Sequence, residues 1–273
     1  MPLPIRPVAF VLAASNHGSM IVNRHDHRTM KDGKGYGVGY QILNRSSFDE
    51  SEVGLVLMLL DLRRRYHGDG VVALDGGANI GVHTLEWARH MHGWGRVLAF
   101  EAQEIVYYAL AGNIALNNVL NARARLAALG ETCGEARVPR PDYFKPSSFG
   151  SLELRQRAGT EFIGQAISYD AADCDSVPMT SIDALALPRV DLIKLDVEGY
   201  EADVLRGARH TLETQKPIMI VEIIKSDRTG IEAPFASHGY NVLPIGINIL
   251  AIHREDPVLQ HIRPAADETT PTG

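Results

Sequence analysis

Cysteine is scarce in this sequence, and that limits how the chain can be held together. The 273 residues include two cysteines, Cys133 and Cys174, which do not have the spacing of a metal-binding pair. Two cysteines are also too few to imply a disulfide framework. The composition is 45% hydrophobic, so burial of apolar residues is the expected source of stability. A reducing, cytoplasmic location fits this cysteine content.

The sequence also lacks a long apolar run and an excess of positive charge. No run approaches the roughly 20 residues that span a membrane. Lys and Arg number 27 against 33 Asp and Glu, giving a formal net charge of -6. Without a long basic stretch, nucleic acid is a poor candidate partner. A small molecule or glycan is the expected partner, and the oligomeric state is left open.

The composition fits one substantial domain with extensions. The expected division is an N-terminal extension at 1–66 that could cap a substrate site, a main domain at 67–255 with an insertion at about 134–180, and a polar tail at 256–273 that is disordered from about residue 264. The apolar stretch at 7–15 is interpreted as an early strand, because prolines crowd it and one arginine precedes it; a signal peptide is the alternative. His25 and His27 lack further placed ligands, so solvated side chains in a surface hairpin are favoured over a metal site.

The stretch VVALDGGANIG, at 71–81, predicts a strand, a tight turn and the start of a helix. Its spacing is D-x-G-x-x-x-G through Asp75, Gly77 and Gly81, which differs from the dinucleotide fingerprint G-x-G-x-x-G. A carboxylate here would repel a pyrophosphate but suits a ligand with an ammonium group, such as S-adenosylmethionine. The alternative is a turn whose glycines serve geometry alone.

Two further acids follow the next predicted strands. A strand is predicted at 96–102, and Glu101 lies near its end. A carboxylate at that position can accept hydrogen bonds from both hydroxyls of a ribose. A strand at 124–129 precedes Glu131, which could reach an adenine amine. The alternatives are a helix cap for Glu101 and a solvated loop side chain for Glu131.

Beyond the irregular stretch at 134–180, buried strands are predicted at 190–196 and 217–224, followed by a terminal hairpin at 239–253. The first ends in Asp196-Val197-Glu198-Gly199 and the second carries Glu222. One of these carboxylates could accept the proton of a hydroxyl acceptor, or could instead cap a helix or pair with a lysine. In the insertion, the chemically suitable substrate contacts are Tyr143, Lys145, Ser147 and Ser148.

Together these motifs resemble the FkbM family of S-adenosylmethionine-dependent methyltransferases. The resemblance covers residues 71–224 and rests on DGGANIG, AFEA, SFGSLEL, IKLDVEGYEADVLRGA and IMIVE in that order. It implies an α/β, class I methyltransferase (Rossmann-like) fold: a mostly parallel seven-stranded sheet with one antiparallel hairpin strand and helices on both faces. It also implies O-methylation of a hydroxyl on a small molecule, sugar or glycan.

The resemblance assigns roles to specific residues. The methionine-side loop and its neighbours would be Asp75, Gly76, Gly77, Ala78, Asn79 and Gly81. Glu101 would hold the ribose and Glu131 would lie near the adenine, whereas Asp196 and Glu198 would line the acceptor side with Glu222 as a further candidate base. No metal ligand is assigned.

Two other classes of function remain open at this stage. A nicotinamide-dependent oxidoreductase would share the strand-helix-strand unit and the ribose acid, although Asp75 argues against it. A non-catalytic binding domain could retain the same fold. The residues DVEG also differ from the D/N-P-P-Y/F turn of amino-methyltransferases that act on nucleobases.

Overall fold

The computed structural model describes residues 7–29 and 35–262. In chain order, its strands are β1 (Phe10–Ser15), β2 (Gly18–Asn23), β3 (Arg28–Thr29), β4 (Gly35–Tyr36), β5 (Val71–Gly76), β6 (Gly95–Glu101), β7 (Ala122–Leu126), β8 (Ala128–Leu129), β9 (Gly134–Pro139), β10 (Cys174–Thr180), β11 (Leu192–Leu195), β12 (Ile218–Glu222), β13 (Tyr240–Ile245) and β14 (Asn248–His253). The α-helices are α1 (Val38–Arg45), α2 (Glu50–His67), α3 (Val82–His90), α4 (Glu104–Leu116), α5 (Glu201–Arg206), α6 (Arg209–Thr214) and α7 (Arg228–Ser237).

A seven-stranded sheet forms the centre of the fold, in the order β13-β14-β12-β11-β5-β6-β7. Strands β7, β6, β5, β11 and β12 pair in parallel, whereas β14 runs antiparallel to both of its neighbours. The predicted mostly parallel sheet with a hairpin strand is therefore confirmed. Because the parallel strands run the same way, the acids that end them meet along one edge of the sheet.

Helices cover both faces of this sheet. Along β5, Val71 and Ala73 face one apolar cluster and Val72 and Leu74 face the other, as expected for strand side chains that alternate in direction. The first cluster receives residues of α2, α3 and α4, and the second receives residues of α5, α6 and α7. A strand buried on both faces reads as a continuous apolar run, which explains why these strands are visible in the sequence.

Some boundaries differ from the predictions. The strand predicted at 124–129 is divided between β7, in the main sheet, and β8, which pairs with β10 in a separate three-stranded sheet with β9. The chain after residue 199 forms two short helices, α5 and α6, and α1 was not predicted at all. The tail from about residue 264 lies outside the described residues.

The N-terminal segment packs against α4 rather than standing apart from the sheet. Strands β1 and β2 form an antiparallel hairpin, which confirms the predicted early strand. Asn113 Oδ1 accepts a hydrogen bond from Ile21 N at 2.6 Å, and Asn117 Nδ2 donates to Ser19 O at 2.8 Å. The two asparagines of α4 therefore hold this hairpin in place.

The N-terminal segment also contacts the stretch between β9 and β10. Asp26 forms an isolated bridge with Ser147, and its carboxylate accepts hydrogen bonds from Gly39 N at 2.8 Å and Phe149 N at 3.1 Å. Burial raises the pKa of Asp26 to about 6, although these backbone donors oppose the shift. One buried carboxylate thus joins two segments that are far apart in sequence.

Arg63, in the last turn of α2, forms buried ion pairs rather than lying at the surface. It is buried, its Nε lies 3.3 Å from Asp191 Oδ1, and its Nη1 pairs with Asp256. Asp191 also accepts a hydrogen bond from Val72 N at 2.9 Å.

Among the described residues, no helix has the length and apolar character needed to cross a bilayer.

Candidate active site

A pocket lies at the carboxyl ends of the parallel strands. It is lined by the turn after β5, the ends of β6, β11 and β12, the start of α3, and parts of the N-terminal segment and the insertion. This is the edge at which open α/β sheets bind their ligands.

The turn after β5 forms part of the pocket wall. Gly77 has φ 78° and Gly81 has φ 93°, both in the left-handed region that favours glycine. Gly77 N and Ala78 N donate to Phe100 O at 3.0 and 2.9 Å, which ties the turn to the end of β6. Of the residues assigned to this loop, Gly77, Ala78, Asn79 and Gly81 line the pocket.

Asp75 and Gly76 do not contribute to that lining. Asp75 is 1% exposed, and its Oδ2 accepts a hydrogen bond from Thr84 Oγ1 at 2.6 Å. Its Oδ1 is buried without a hydrogen-bond partner in the described structure. Asp75 thus lies behind the pocket lining, and Oδ1 is the oxygen that has no partner within the described residues for the predicted contact with an ammonium group.

Glu101 lies where the sequence predicted, at the end of β6 in the pocket lining. Its two carboxylate oxygens accept hydrogen bonds from Asn79 N at 2.9 Å and Gln103 N at 2.8 Å. Burial raises the pKa of Glu101 to about 7 in spite of these donors. The backbone bonds fix the carboxylate while leaving further lone pairs available, because each oxygen accepts more than one hydrogen bond.

Glu131 disagrees with its prediction, because it does not line the pocket. Its carboxylate accepts a hydrogen bond from Arg206 Nε at 2.7 Å, and its side chain is 49% exposed. Strand β8 leaves the main sheet to pair with β10, so the chain beyond it turns toward the surface. The pocket lining at this position is apolar and comes from Ala127, Ala128 and Leu129.

Asp196, Glu198 and Glu222 meet at the ends of β11 and β12, with one oxygen of each within 4.8 Å of the others. Lys194 Nζ lies 3.1 Å from Asp196 Oδ2, and Lys225 pairs with Glu198. Glu222 Oε2 is buried with no hydrogen-bond partner in residues 7–29 and 35–262. The structure therefore brings together all three acids that the sequence assigned to the acceptor side.

Glu222 and Glu198 both have pKa values above those of ordinary carboxyls. Burial, followed by the charge of Asp196, raises the pKa of Glu222 to about 8. The same two causes raise the pKa of Glu198 well above its ordinary value, against the opposing charge of Lys225. Burial opposes protonation of Lys194, but Asp196, Glu52 and Asp75 raise the pKa of that lysine above its usual range.

Glu201, which the sequence analysis did not single out, positions the loop that carries two of these acids. It is fully buried at the start of α5, and its carboxylate accepts hydrogen bonds from Val197 N at 2.9 Å and Gly199 N at 3.1 Å. Glu198 between them has φ 54°. An acid placed just after a glycine at a helix start is the sequence signal that could have identified it.

Only one of the four suggested insertion contacts lines the pocket, and that residue is Ser148. Tyr143 donates its hydroxyl hydrogen to Gln103 Oε1 at 3.1 Å, and the Ser147 hydroxyl donates to Pro146 O at 2.7 Å. Lys145 is exposed and pairs with Asp142 at 3.2 Å. The insertion also contributes Gly150, Leu152 and Leu154 to the lining, which the sequence analysis missed.

A second polar group in the pocket lining was also missed. It consists of Asp49, Glu52 and His83, where α2 and α3 begin. Within the described ranges, the groups of side chains close enough to share a metal ion are this one and the three acids at β11 and β12. His25 and His27 are in neither group.

The family comparison decides how this geometry is interpreted. The model of the methyltransferase FkbM domain matches residues 75–242, which is more than half of the chain. The chain belongs to the FkbM methyltransferase family. The match begins at the residue before the glycine turn and includes the acids at the ends of β6, β11 and β12, whereas Asp49 and Glu52 in the same pocket lie outside it.

Two curated relatives are also methyltransferases. The FkbM chain is 30% identical over 154 residues to methyltransferase sdnD of Sordaria araneosa, covering 49% of this chain and 59% of that protein. It is 28% identical over 147 residues to methyltransferase 1 of Beauveria bassiana, covering 51% and 59%. The chain thus spans less than two thirds of the length of these relatives.

Solved structures with a related arrangement include two methyltransferases. An FkbM methyltransferase from Methylobacillus flagellatus has a TM-score of 0.46 at 18% identity, covering 68% of this chain and 43% of that one. A SAM-dependent O-methyltransferase from Thermotoga maritima has a TM-score of 0.42 at 11% identity, covering 91% and 94%. The strand order described above gives this FkbM domain a class I methyltransferase fold.

Proposed function

We propose that the chain uses S-adenosylmethionine to methylate a hydroxyl group of a small molecule, sugar or glycan. The observation that carries this proposal is the composition of one pocket. At the ends of β5 and β6, the pocket contains the glycine turn and the hydrogen-bonded carboxylate of Glu101. At the ends of β11 and β12, it contains the cluster of three acids. The glycine turn and Glu101 suit a nucleoside with an amino-acid tail, and the acid cluster suits an acceptor hydroxyl that must lose its proton.

The residues present fit that cofactor. Glu101 has lone pairs available for ribose hydroxyls, and Asp75 Oδ1 is a buried acceptor without a partner in the described chain. A buried unpaired carboxylate oxygen costs free energy, which a cationic group nearby would offset. The apolar residues Ala127, Ala128 and Leu129 offer a surface for a flat base. When bound, S-adenosylmethionine supplies a methyl group activated by its sulfonium.

Glu222 is the residue we assign as general base. Glu222 Oε2 and Asp196 Oδ1 are both buried without a hydrogen-bond partner in the described structure, but Asp196 and Glu198 each pair with a lysine and Glu222 does not. A carboxylate with a pKa near 8 is a stronger base than an ordinary one, and enough of it is ionised near neutral pH to act. Glu222 would accept the proton of the acceptor hydroxyl; the methyl group for that oxygen would come from the cofactor, whose S–CH3 bond breaks so that S-adenosylhomocysteine is left.

The acid cluster also supports the choice of acceptor. Carboxylates that line a pocket accept hydrogen bonds from hydroxyl groups, so an acceptor with several hydroxyls, such as a sugar, would have several partners here. The same charges oppose an anionic acceptor unless a cation accompanies it. Small molecules, sugars and glycans with free hydroxyl groups are therefore the acceptors that suit this pocket.

The experiment has two stages. Calorimetric titration with S-adenosylhomocysteine is expected to show saturable binding to the full chain. Cells that express the chain and are fed a labelled methyl donor are then expected to accumulate a metabolite labelled on oxygen, identified by mass spectrometry. Glu222→Gln is expected to remove most of that product while changing affinity for S-adenosylhomocysteine less than about three-fold.

Glu131→Gln is the matched control, because Glu131 is an exposed acid outside the pocket. It is expected to retain both the binding and the labelled product. Absence of S-adenosylhomocysteine binding, together with binding of a nicotinamide cofactor, would contradict the cofactor assignment. A label found on nitrogen or carbon would contradict the acceptor assignment alone.

A further inference from the structure

His83, Glu52 and Asp49 form a compact group of mixed donors in the pocket lining. One atom of each lies within 4.8 Å of the others. Glu52 is in the first turn of α2, Asp49 immediately precedes that helix, and His83 is in the first turn of α3. This group differs from a surface cluster of acids because it includes an imidazole and because His83 is buried.

Two of these side chains are buried without partners. His83 is 6% exposed, and neither ring nitrogen has a hydrogen-bond partner within residues 7–29 and 35–262. The same is true of Glu52 Oε1. Each buried polar atom left unpaired keeps the full cost of losing its water. His83 Nε2 and Glu52 Oε1 face each other, so one bound cation would supply the missing partner of both.

The distances favour a cation over direct hydrogen bonds. His83 Nε2 lies 3.5 Å from Glu52 Oε1 and 3.8 Å from Asp49 Oδ2, beyond the usual range of N–H···O hydrogen bonds. Donor atoms that share a first-row metal at about 2.0–2.2 Å are separated by roughly 3.0–3.5 Å. A small movement of Asp49, whose side chain is exposed, would complete that geometry.

The surrounding residues orient the donors. Asn248 donates a hydrogen bond to Glu52 Oε2, which leaves Oε1 as the oxygen that faces His83. The His83 ring packs near Trp87, with 5.5 Å between ring centroids. Hydrogen-bonded and packed ligands of this kind are typical of metal sites, since they hold donors in place before the ion binds.

The acid cluster at β11 and β12 is a weaker candidate for a metal. Two of its three acids already have ammonium partners, Lys194 and Lys225, and it contains no nitrogen donor. In contrast, the only salt-bridge partner that Asp49 and Glu52 have in the described structure is His83. Lys194 acts electrostatically on Glu52 and Asp49 as well, but its hydrogen bond is to Asp196, so neither acid of the His83 group has an ammonium group as a direct partner.

We propose that His83, Glu52 and Asp49 bind a first-row divalent cation in the pocket wall. Imidazole and carboxylate donors together suit Mn²⁺ or Zn²⁺. Three protein ligands leave coordination positions open, and these positions face the pocket, where water or an oxygen of a bound small molecule can occupy them.

The test is a titration of the full chain with Mn²⁺, followed by electron paramagnetic resonance. One saturable site is expected, and pulsed measurements are expected to show coupling to an imidazole nitrogen. His83→Gln is expected to remove that coupling. His83→Gln and Glu52→Gln are each expected to weaken Mn²⁺ binding by at least ten-fold.

Glu198→Gln is the control for the location of the ion, because it alters the neighbouring acid cluster and is expected to change Mn²⁺ affinity less than about two-fold. Circular dichroism and metal-free thermal unfolding would establish that the variants fold. If His83→Gln does not fold, the nitrogen coupling in the unmodified chain and the affinity of Glu52→Gln decide the question. The proposal is overturned if Mn²⁺ shows no saturable binding, or if Glu198→Gln abolishes binding that His83→Gln retains.

Discussion

A side chain on Gly77 would collide with the backbone of Asp196, because a Cβ at Gly77 would lie 1.8 Å from Asp196 O. Asp196 N also donates to Gly76 O at 3.0 Å. The turn that carries the proposed methionine-side residues and the loop that carries the proposed acceptor-side acids therefore touch through their backbones. The relative position of this turn and this loop therefore depends on residue 77 having no Cβ.

We expect Gly77→Ala to displace this contact and to weaken S-adenosylhomocysteine binding by at least ten-fold. Alanine at a positive φ costs about 1–2 kcal/mol by itself, and the collision adds to that cost. Thermal unfolding and calorimetric titration would measure the two effects.

Gly93→Ala is the matched control, since Gly93 has φ 82° and open space within 4 Å of a Cβ. It is expected to lower stability by about 1–2 kcal/mol without changing affinity. If Gly77→Ala and Gly93→Ala had the same stability and the same affinity for S-adenosylhomocysteine, the Gly77 contact would not position the turn.

The sheet was predictable from the sequence because its strands are buried on both faces. Runs such as 71–74 and 218–221 are continuously apolar, so they are visible without knowledge of their neighbours. The acids Glu101, Asp196 and Glu222 were found for the same reason, because each follows or ends such a run. The division of the strand predicted at 124–129 and the presence of helix α1 were missed, because tertiary pairing, rather than a local pattern, determines where β8 and α1 begin.

Affinity for S-adenosylhomocysteine is expected to increase with pH through about 7. Burial raises the pKa of Glu101 to about 7, and ribose hydroxyls donate to the ionised carboxylate more strongly than to the protonated acid. Binding is thus linked to loss of a proton: below pH 7 affinity falls toward ten-fold per pH unit, and above it affinity is constant. Calorimetry from pH 5.5 to 8.5 would measure this dependence.

In Glu101→Gln, the same titration is expected to be weaker and nearly independent of pH over that range. A flat profile in the unmodified chain would show that Glu101 does not change ionisation on binding. A dependence that persists in Glu101→Gln would assign the titration to another residue.

Glu222→Gln is expected to stabilise the ligand-free protein at alkaline pH. The folded pKa of Glu222 is raised to about 8, above its ordinary value of 4.5, so its contribution to stability is complete below pH 4.5 and is lost as pH increases through 8. Each unit of that difference corresponds to about 1.4 kcal/mol. Chemical unfolding at pH 6 and pH 9 should show a difference between variant and unmodified chain that grows with pH; equal curves at both values would contradict the buried, uncompensated environment.

The parts of the site that the sequence did not reveal depend on contacts across the fold. Glu131 looked suitable because it follows a predicted strand, but that strand is divided and its end pairs with β10. His83 and Glu52 are separated along the chain and belong to different helices, so neither stands out in a local motif. Their unpaired atoms become visible only once burial is known.

Asp191→Ala is expected to destabilise the fold by about 3–5 kcal/mol, because it leaves the buried Arg63 guanidinium with one fewer anion and Val72 N without its acceptor. The free energy of unfolding in urea would measure this loss. Asp69→Ala is the control: it removes an exposed pair with Arg64 at 2.8 Å and is expected to cost less than about 1 kcal/mol. Similar costs for the two substitutions would contradict the structural role assigned to buried Arg63.

Glu201→Ala is expected to loosen the loop that carries Asp196 and Glu198 while leaving the sheet intact. Its carboxylate is the acceptor for Val197 N and Gly199 N, and these bonds hold Glu198 at its positive φ. Without that acceptor the two amides are expected to exchange hydrogen with solvent at least ten-fold faster, whereas amides of β11 and β12 keep their protection. Hydrogen exchange followed by nuclear magnetic resonance would measure both. Glu213→Ala, at an exposed position in α6, is the matched control and is expected to leave all of these amides unchanged. Faster exchange throughout β11 and β12 would mean that Glu201 supports the whole domain, and unchanged exchange at Val197 and Gly199 would mean that the loop keeps its conformation without it.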